Sequence, residues 1–537
     1  MTVPGRTAGV LIPLFSFPSS SSWGIGDMSD VAPMSAWLSA SGQHVLQLLP
    51  MNEMAADQQS PYSALSGMAI DPIYISVPAA LDAMGLKDQV ALPEEMRPEL
   101  ERVRHAARVE YRTVRRLKQT VLANAFEALK VANARANRDW PERFHAFLSA
   151  EDWWLRDYAL FRAIHDRQGQ RPWTEWPEPL ARREPRALER ARDELFPQVL
   201  FYCFLQWLAD SQWRAARAAA AARGVAIFGD LPFMVDTDSA DVWARQDQFR
   251  LDISVGAPPD AFSAEGQDWG TPMYQWEAMA ADGFQWLRDR ARRNAALYDG
   301  CRVDHLVGFY RTYGRPRKGG APFFSPALES DQVRLGESIL RIFSESGAQI
   351  IAEDLGTVPD YVRASLARLG IPGYRVLRWE RHWHTAGQPF RDPAEYPSRS
   401  VATSGTHDTE PLATWWDSVS SDERRRVSEV PTVRQLTDGK ALDGAPYEPV
   451  VRDVLLESLF ASGSNLVLPV VQDLFGWRDR INDPATASDR NWTFRLPWPC
   501  DRLDEVPAAR ERQAMLRSWT ERHNRYRVNS CASEPAS

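Results

Sequence analysis

Three carboxylates stand where short apolar runs give way to polar loops: Asp304 in Cys-Arg-Val-Asp-His, Glu353 in Ile-Ile-Ala-Glu-Asp-Leu-Gly, and Asp408 in Ser-Gly-Thr-His-Asp-Thr. An acid in such a place must be exposed, paired or used, because burying a bare carboxylate is costly. Cleavage of a glycosidic bond with retention needs a carboxylate nucleophile and a second carboxyl group that acts as acid and then as base. Asp304 suits the nucleophile. Arg302 is two residues back and so on the same face of a strand, where its cation would keep the carboxylate ionised, and His305 adds a hydrogen-bond donor. Glu353 suits the acid/base, because the apolar run before it predicts partial desolvation and a proton held near neutrality. Asp408, flanked by His407, is placed to grip sugar hydroxyls more tightly as an oxocarbenium-like state develops. Singly, each acid could be a helix cap or a surface ion pair. In succession they point to a catalytic rim built from several strands of one sheet.

The elements that must carry this rim are short. Apolar runs at residues 9–14, 45–49, 225–228, 301–303, 349–352, 375–379, 401–404 and 465–468 alternate with amphipathic helical stretches. Such runs suit parallel strands covered by helices on both sides, and eight of them predict a TIM (β/α)8 barrel, an α/β fold with acids at the C-terminal ends of its strands. About 175 residues separate the second and third runs, far beyond a simple crossover. Residues 94–137 read as helix, and 184–223 carry a broad apolar face before Gly224 supplies a C-cap. The expected organisation is one barrel over 1–537, with a mainly helical insertion at 78–222 and a smaller one at 413–449.

With 537 residues, 44% of them hydrophobic and 25% charged, the chain has the composition of an ordinary globular protein. A formal charge of −8 argues against a nucleic-acid partner. The cysteines, Cys203, Cys301, Cys500 and Cys531, are too scattered for a disulfide framework or a zinc site. The apolar stretch 8–15 is broken by Pro13 and lacks a small-x-small cleavage site, and no run is long enough to span a membrane. Cytoplasmic location is therefore expected. Neither a phosphate-binding Gly-rich loop, a His-Glu-x-x-His pair nor a Gly-x-Ser-x-Gly elbow occurs, so neither metal nor cofactor is expected. The 21 tryptophans suit sugar stacking, although most should lie in the core.

Residues 256–270 read as a loop. Pro258 and Pro259 stiffen it, Gly256, Gly266 and Gly270 permit turns, and Phe262 and Trp269 offer apolar faces. The basic stretch 315–320 reads as a solvated turn.

Nearly the whole chain resembles the amylomaltases, the 4-α-glucanotransferase family related to α-amylases. The resemblance is carried, in order, by Trp23-Gly-Ile-Gly-Asp27, Ser60-Pro-Tyr-Ser63, Gly229-Asp-Leu-Pro232, Gly256-Ala-Pro-Pro-Asp-Ala-Phe-Ser263 and Gly266-Gln-Asp-Trp-Gly270. It continues through Arg302-Val-Asp-His305, Ala352-Glu-Asp-Leu-Gly356, Thr406-His-Asp408, Gln472-Asp473, Asn482-Asp-Pro484 and Asn491-Trp492. It implies a barrel without a C-terminal β-sandwich domain, with Asp304 as nucleophile, Glu353 as acid/base and Asp408 as transition-state stabiliser. It further implies that Arg302, His305 and His407 hold the donor sugar, Tyr62 stacks on it, and Asp230 lies beneath. Residues 256–270 would be a loop arching over the cleft, with Asp260 and Trp269 facing the glucan, and such a lid suits transfer, since a glycosyl-enzyme must be kept from water until an acceptor arrives. The implied partners are an α-1,4-glucan donor and a sugar acceptor, with the chain a monomer or weak homo-oligomer.

Three segments depart from the family's common pattern: Pro50-Met-Asn-Glu-Met54, Tyr374-Arg-Val-Leu-Arg-Trp-Glu-Arg381, and Thr409-Glu410. All three border the cleft in the family's fold, and Glu53, Glu380 and Glu410 would add negative charge there. A mainly hydrolytic α-glucosidase or amylase using the same acids is the competing enzymatic reading. A non-catalytic glucan-binding protein is the other.

Overall fold

Strands of two to six residues close into an eight-stranded parallel barrel in the structure, a computed structural model that describes residues 5–526 apart from 56, 137–138, 260–264, 485 and 487. In chain order the strands are β1 (Thr7–Leu11), β2 (Val45–Gln47), β3 (Ala226–Leu231), β4 (Phe249–Ala257), β5 (Gln267–Tyr274) and β6 (Gly300–Val303). They continue with β7 (Thr312–Pro316), β8 (Phe323–Ser325), β9 (Gln349–Ala352), β10 (Gly373–Val376), β11 (Ser400–Thr403) and β12 (Leu466–Val467). The barrel order is β1-β2-β3-β6-β9-β10-β11-β12, and β12 returns to β1 with Leu466 opposite Thr7 and Val467 opposite Ala8.

Each barrel strand buries both faces, and the period of two sorts its residues between two cores. Val45, Phe228, Ile351, Tyr374, Val401, Leu466 and Leu468 pack together in one cluster. Their neighbours Leu46, Ile227, Ile350, Ala402 and Val467 belong to the much larger core that includes the helices. The barrel interior is thus filled with side chains, as this fold requires. Gln47, two residues beyond Val45, donates from Nε2 to the buried Tyr374 hydroxyl at 2.9 Å and so places a polar pair beside that apolar cluster.

All eight expected strands are present, with displaced ends. The run 9–14 yields a strand ending at Leu11, and the run 375–379 one ending at Val376. Apolar residues beyond those ends, such as Leu14 and Leu377, are buried without being in a strand. Between β2 and β3 the chain is largely helical, with long helices Tyr111–Arg135, Glu142–Arg167 and Phe196–Ala222. The stretch read as continuous from 94 to 137 breaks after the helix Arg97–His105. The Arg495 guanidinium, distant in sequence, donates to the carbonyls of Val103, Arg104 and Ala106 and so satisfies that helix end. After β12 the described chain holds the helices Val471–Phe475 and Pro507–Arg522 and no further strand.

The loop after β2 is tied to this helical region by buried charge. Glu53, expected to add charge to the cleft, is 3% exposed, with the Tyr158 hydroxyl donating to Oε2 and Arg162 Nε donating to Oε1 at 3.1 Å. Its charge is therefore spent on the helix Glu142–Arg167. Replacing Arg162 with Met strands a buried carboxylate, so a loss of about 3–5 kcal/mol is expected, read as a lowered thermal midpoint.

The remaining four strands form a separate sheet in the order β5-β4-β7-β8. Of the segment 256–270, expected as a loop, Gly256 and Ala257 belong to β4 and Gln267 to Gly270 to β5, paired as an antiparallel ribbon with Gly256 opposite Asp268 and Ala257 opposite Gln267. A Cβ at Gly256 would stand 1.9 Å from the Gln267 carbonyl oxygen, so the close approach of the two strands requires glycine there. The basic stretch is likewise more than a solvated turn. Arg315 and Pro316 pair with β4 as part of β7. Arg315 Nη1 donates to Glu265 O at 3.2 Å, and Arg317 donates to Leu251 O at 3.1 Å and Gly270 O at 2.6 Å. These side chains hold the ribbon's two strands.

Candidate active site

The parallel ladder continues one residue beyond the strands and brings the first two acids together. In register, Asp230 on β3 faces Arg302 on β6, and Arg302 faces Ile351 on β9. Past the strand ends, Asp304 N donates to Leu231 O at 3.0 Å and Glu353 N donates to Val303 O at 3.1 Å. Arg302, 4% exposed, reaches Asp230 through Nη1 at 2.8 and 2.7 Å and Asp304 Oδ1 at 2.8 Å. Its cation therefore sits between a fully buried carboxylate and one whose side chain is 30% exposed. Of these two acids, Asp304 is the one left open to a substrate.

Glu353 leans back toward the same turn. Its Oε2 accepts from His305 N at 2.9 Å and its Oε1 from Leu355 N at 3.2 Å. Burial pushes its carboxyl up to about 7; Arg302 opposes the rise, and Asp304 and Asp354 add to it. A proton is thus available at neutral pH beside Asp304, which is ion-paired to Arg302. His305 adopts a left-handed conformation with φ 43°, a strained choice for a residue with a side chain. Burial lowers its ring to about 4, so it is neutral at working pH.

Asp408 sits five residues after β11 and is held from two sides. Asn482 Nδ2 donates to Oδ1 at 2.7 Å, and His407 Nε2 lies 3.3 Å from Oδ2. Arg480 Nη2 also donates to its backbone carbonyl at 2.8 Å. Burial alone would raise Asp408, but His407 and Asn482 more than offset it and hold the carboxyl far below the ordinary range. Burial works against charge on His407, yet Asp408 outweighs it and raises that ring.

Tyr62 closes the ring of contacts. Its hydroxyl donates to Asp230 Oδ2 at 2.9 Å and lies 3.1 Å from His407 Nε2. The phenol ring stacks on His407 with centroids 5.4 Å apart. From the ribbon, Trp269 brings its indole edge-on to His305 at 4.7 Å and remains 36% exposed. The structure therefore gathers Asp230, Arg302, Asp304, His305, Glu353, His407, Asp408, Tyr62 and Trp269 at one end of the barrel. Asp260 lies outside the described residues.

Sequence reasoning gave no role to Asn482 or Arg480, although Asn482 was among the residues carrying the resemblance. Nothing in their local spacing ties them to Asp408, 74 and 72 residues away. The altered segments also pair off. Glu410, expected as added negative charge, lies 3.8 Å from Arg378 Nη1, so part of that charge is countered from the loop after β10. Among the described residues, no group of three or more His, Cys, Asp or Glu is disposed to hold a metal ion, and no helix is long and apolar enough to cross a membrane.

Comparison with known proteins bears on this geometry directly. The pattern of the 4-alpha-glucanotransferase family matches residues 12–501. A 4-alpha-glucanotransferase of Synechocystis is 34% identical over 508 residues, spanning 91% of this chain and 94% of its own. One from Thermus thermophilus is 32% identical over 505 residues, spanning 91% and 95%. Among solved structures, the amylomaltase of Streptococcus agalactiae in complex with acarbose superposes with a TM-score of 0.81 at 25% identity, covering 97% of this chain and all (100%) of that one. With that match over nearly the whole barrel, the chain belongs to the 4-alpha-glucanotransferase family.

Proposed function

We propose that this enzyme moves α-1,4-glucan segments from a donor to a sugar acceptor by a retaining double displacement. The observation that carries the reading is the Arg302-centred cluster, in which a partly open Asp304, ion-paired to Arg302, stands beside a Glu353 whose proton is held near neutrality. In the first step an Asp304 oxygen attacks the anomeric carbon. The bond to the leaving O4 breaks, and Glu353 gives that oxygen its proton. In the second step an acceptor hydroxyl passes its proton to the Glu353 carboxylate and attacks the same carbon, releasing Asp304. Asp408 grips the sugar hydroxyls of the strained intermediate geometry, while Arg302, His305, His407 and Tyr62 hold the donor ring. When the acceptor is the far end of the same chain, the product is a cyclic glucan.

The arched ribbon favours transfer over hydrolysis by shielding the glycosyl-enzyme from water. Trp269 is an exposed apolar face beside the catalytic turn, in contact with His305. Trp269→Ala should therefore raise the hydrolytic share of turnover several-fold, measured as free reducing ends against longer oligomers. An unchanged ratio would refute a shielding role. The function itself is tested by the products of maltotriose: glucose together with longer oligomers supports transfer, whereas accumulating reducing ends without longer products supports hydrolysis. We further read residues 78–222 as a helical subdomain inserted in a single catalytic barrel, and the enzyme as a cytoplasmic monomer or weak homo-oligomer.

A further inference from the structure

His407 has its Nε2 proton determined by its surroundings. The Tyr62 hydroxyl carries a single proton and has the Asp230 carboxylate at 2.9 Å, an acceptor that can only accept. Its phenol is pushed well above its ordinary value by burial and then by Asp230, so that proton stays. The Tyr62 oxygen is therefore an acceptor toward His407, as is Asp408 Oδ2 at 3.3 Å. Nε2 must carry hydrogen, and the charge of the ring is decided at Nδ1 alone.

Nδ1 is buried with no hydrogen-bond partner, and so are both amide atoms of Gln472, Nε2 and Oε1. Each of the two residues is only 2% exposed. Buried polar atoms are almost always partnered. Both residues line one recess of about 10 Å³, together with Thr406, Val470, Asp473 and Arg480. That is about the room one water needs, and a water bridges groups of this kind when it finds two to four polar partners. Asp473 is already occupied, accepting from Leu412 N at 2.7 Å.

We propose that Gln472 is a positioning residue for His407, acting through one water held in this recess. An amide offers both a donor and an acceptor, so the bridge can meet a bare Nδ1 or a protonated one. The ring keeps its place against Asp408 in either charge state. The charged groups facing the ring are Asp408, Arg302 and Asp230. Asp473, Asp479 and Arg480 line the recess. The catalytic consequence rests on the reading of Asp408 as the group that stabilises the transition state.

The test follows His407 itself. In enzyme carrying isotope-labelled histidine, the His407 resonance is assigned by its loss in His407→Gln, and its titration is followed by NMR. Gln472→Glu gives Nδ1–H an anionic acceptor and should raise the midpoint by about one pH unit; Gln472→Leu removes the bridge and should lower it by a similar amount. Gln472→Leu should also lower kcat on the order of tenfold, as loss of an outer hydrogen-bond partner does elsewhere, with KM within about twofold. An unchanged midpoint in both variants overturns the proposal, even if kcat falls, because packing alone would not move the titration. Gln472→Glu preserves the shape of the side chain and decides the matter should the leucine variant fail to fold. Were Asp408→Asn to keep wild-type kcat, the mechanistic reading would fall while the titration still judged Gln472.

Discussion

Asp304→Asn should lower kcat for transfer from maltotriose by roughly 10⁴-fold or more, the scale on which loss of a nucleophile is felt. No neighbouring carboxylate can take its place. Asp230 is fully buried against Arg302 and Tyr62, and Asp408 is committed to Asn482 and His407. The fold should survive, because asparagine keeps the shape and Arg302 retains Asp230 at 2.7 Å. A sharper form of the same test removes the side chain altogether. With Asp304→Ala, an α-glucosyl fluoride donor and azide, the open space admits azide to the face the carboxylate used, and a β-glucosyl azide should form. Wild-type turnover in Asp304→Asn, or an α-azide from Asp304→Ala, would reject the nucleophile assignment.

The second large effect is at Glu353. Glu353→Gln should lower kcat/KM for maltotriose by about 10²–10⁴-fold, the usual contribution of a positioned acid. A fluoride donor, whose leaving group needs no proton, should still glycosylate Asp304 rapidly. The wild type should show an alkaline limb in kcat/KM, with activity falling about tenfold per pH unit above about 7, where Glu353 loses its proton. The same pKa predicts a stability effect. The folded-state value is raised from the ordinary 4.5 to about 7. The resulting stabilisation is complete below about 4.5 and is lost as pH rises through 7. Glutamine never ionises, so the stability of Glu353→Gln relative to wild type should rise by on the order of 2 kcal/mol between pH 5 and pH 8. Parallel melting curves of the two proteins across that range would exclude a strongly raised Glu353.

Composition and pattern were enough for much of this. Eight apolar runs predicted eight barrel strands because a parallel strand buried on both faces must be apolar throughout, and that signal is local. The acids at strand ends were legible for the same reason: a carboxylate after Val303 or Ala352 has no place in the core, so it must lie at the rim. Arg302 beside Asp304 follows from a two-residue period along one strand.

What the chain alone did not show was set by contacts between distant segments. Both ends of the arching segment lie in a ribbon that β7, some forty residues on, extends by pairing with β4, and Pro258, Pro259 and three glycines gave no hint of that pairing. Glu53 carries its charge into the helical region, since Tyr158 and Arg162 meet it there. Asn482 and Gln472 come to Asp408 and His407 from beyond β12, which its parallel pairing with β11 brings alongside across some sixty residues of intervening chain. Sequence by itself determined which acids could do the chemistry, because burial cost acts residue by residue. Tertiary structure decided their protonation and partners, because electrostatics and hydrogen bonds depend on distance through space, and closing the barrel is what sets those distances.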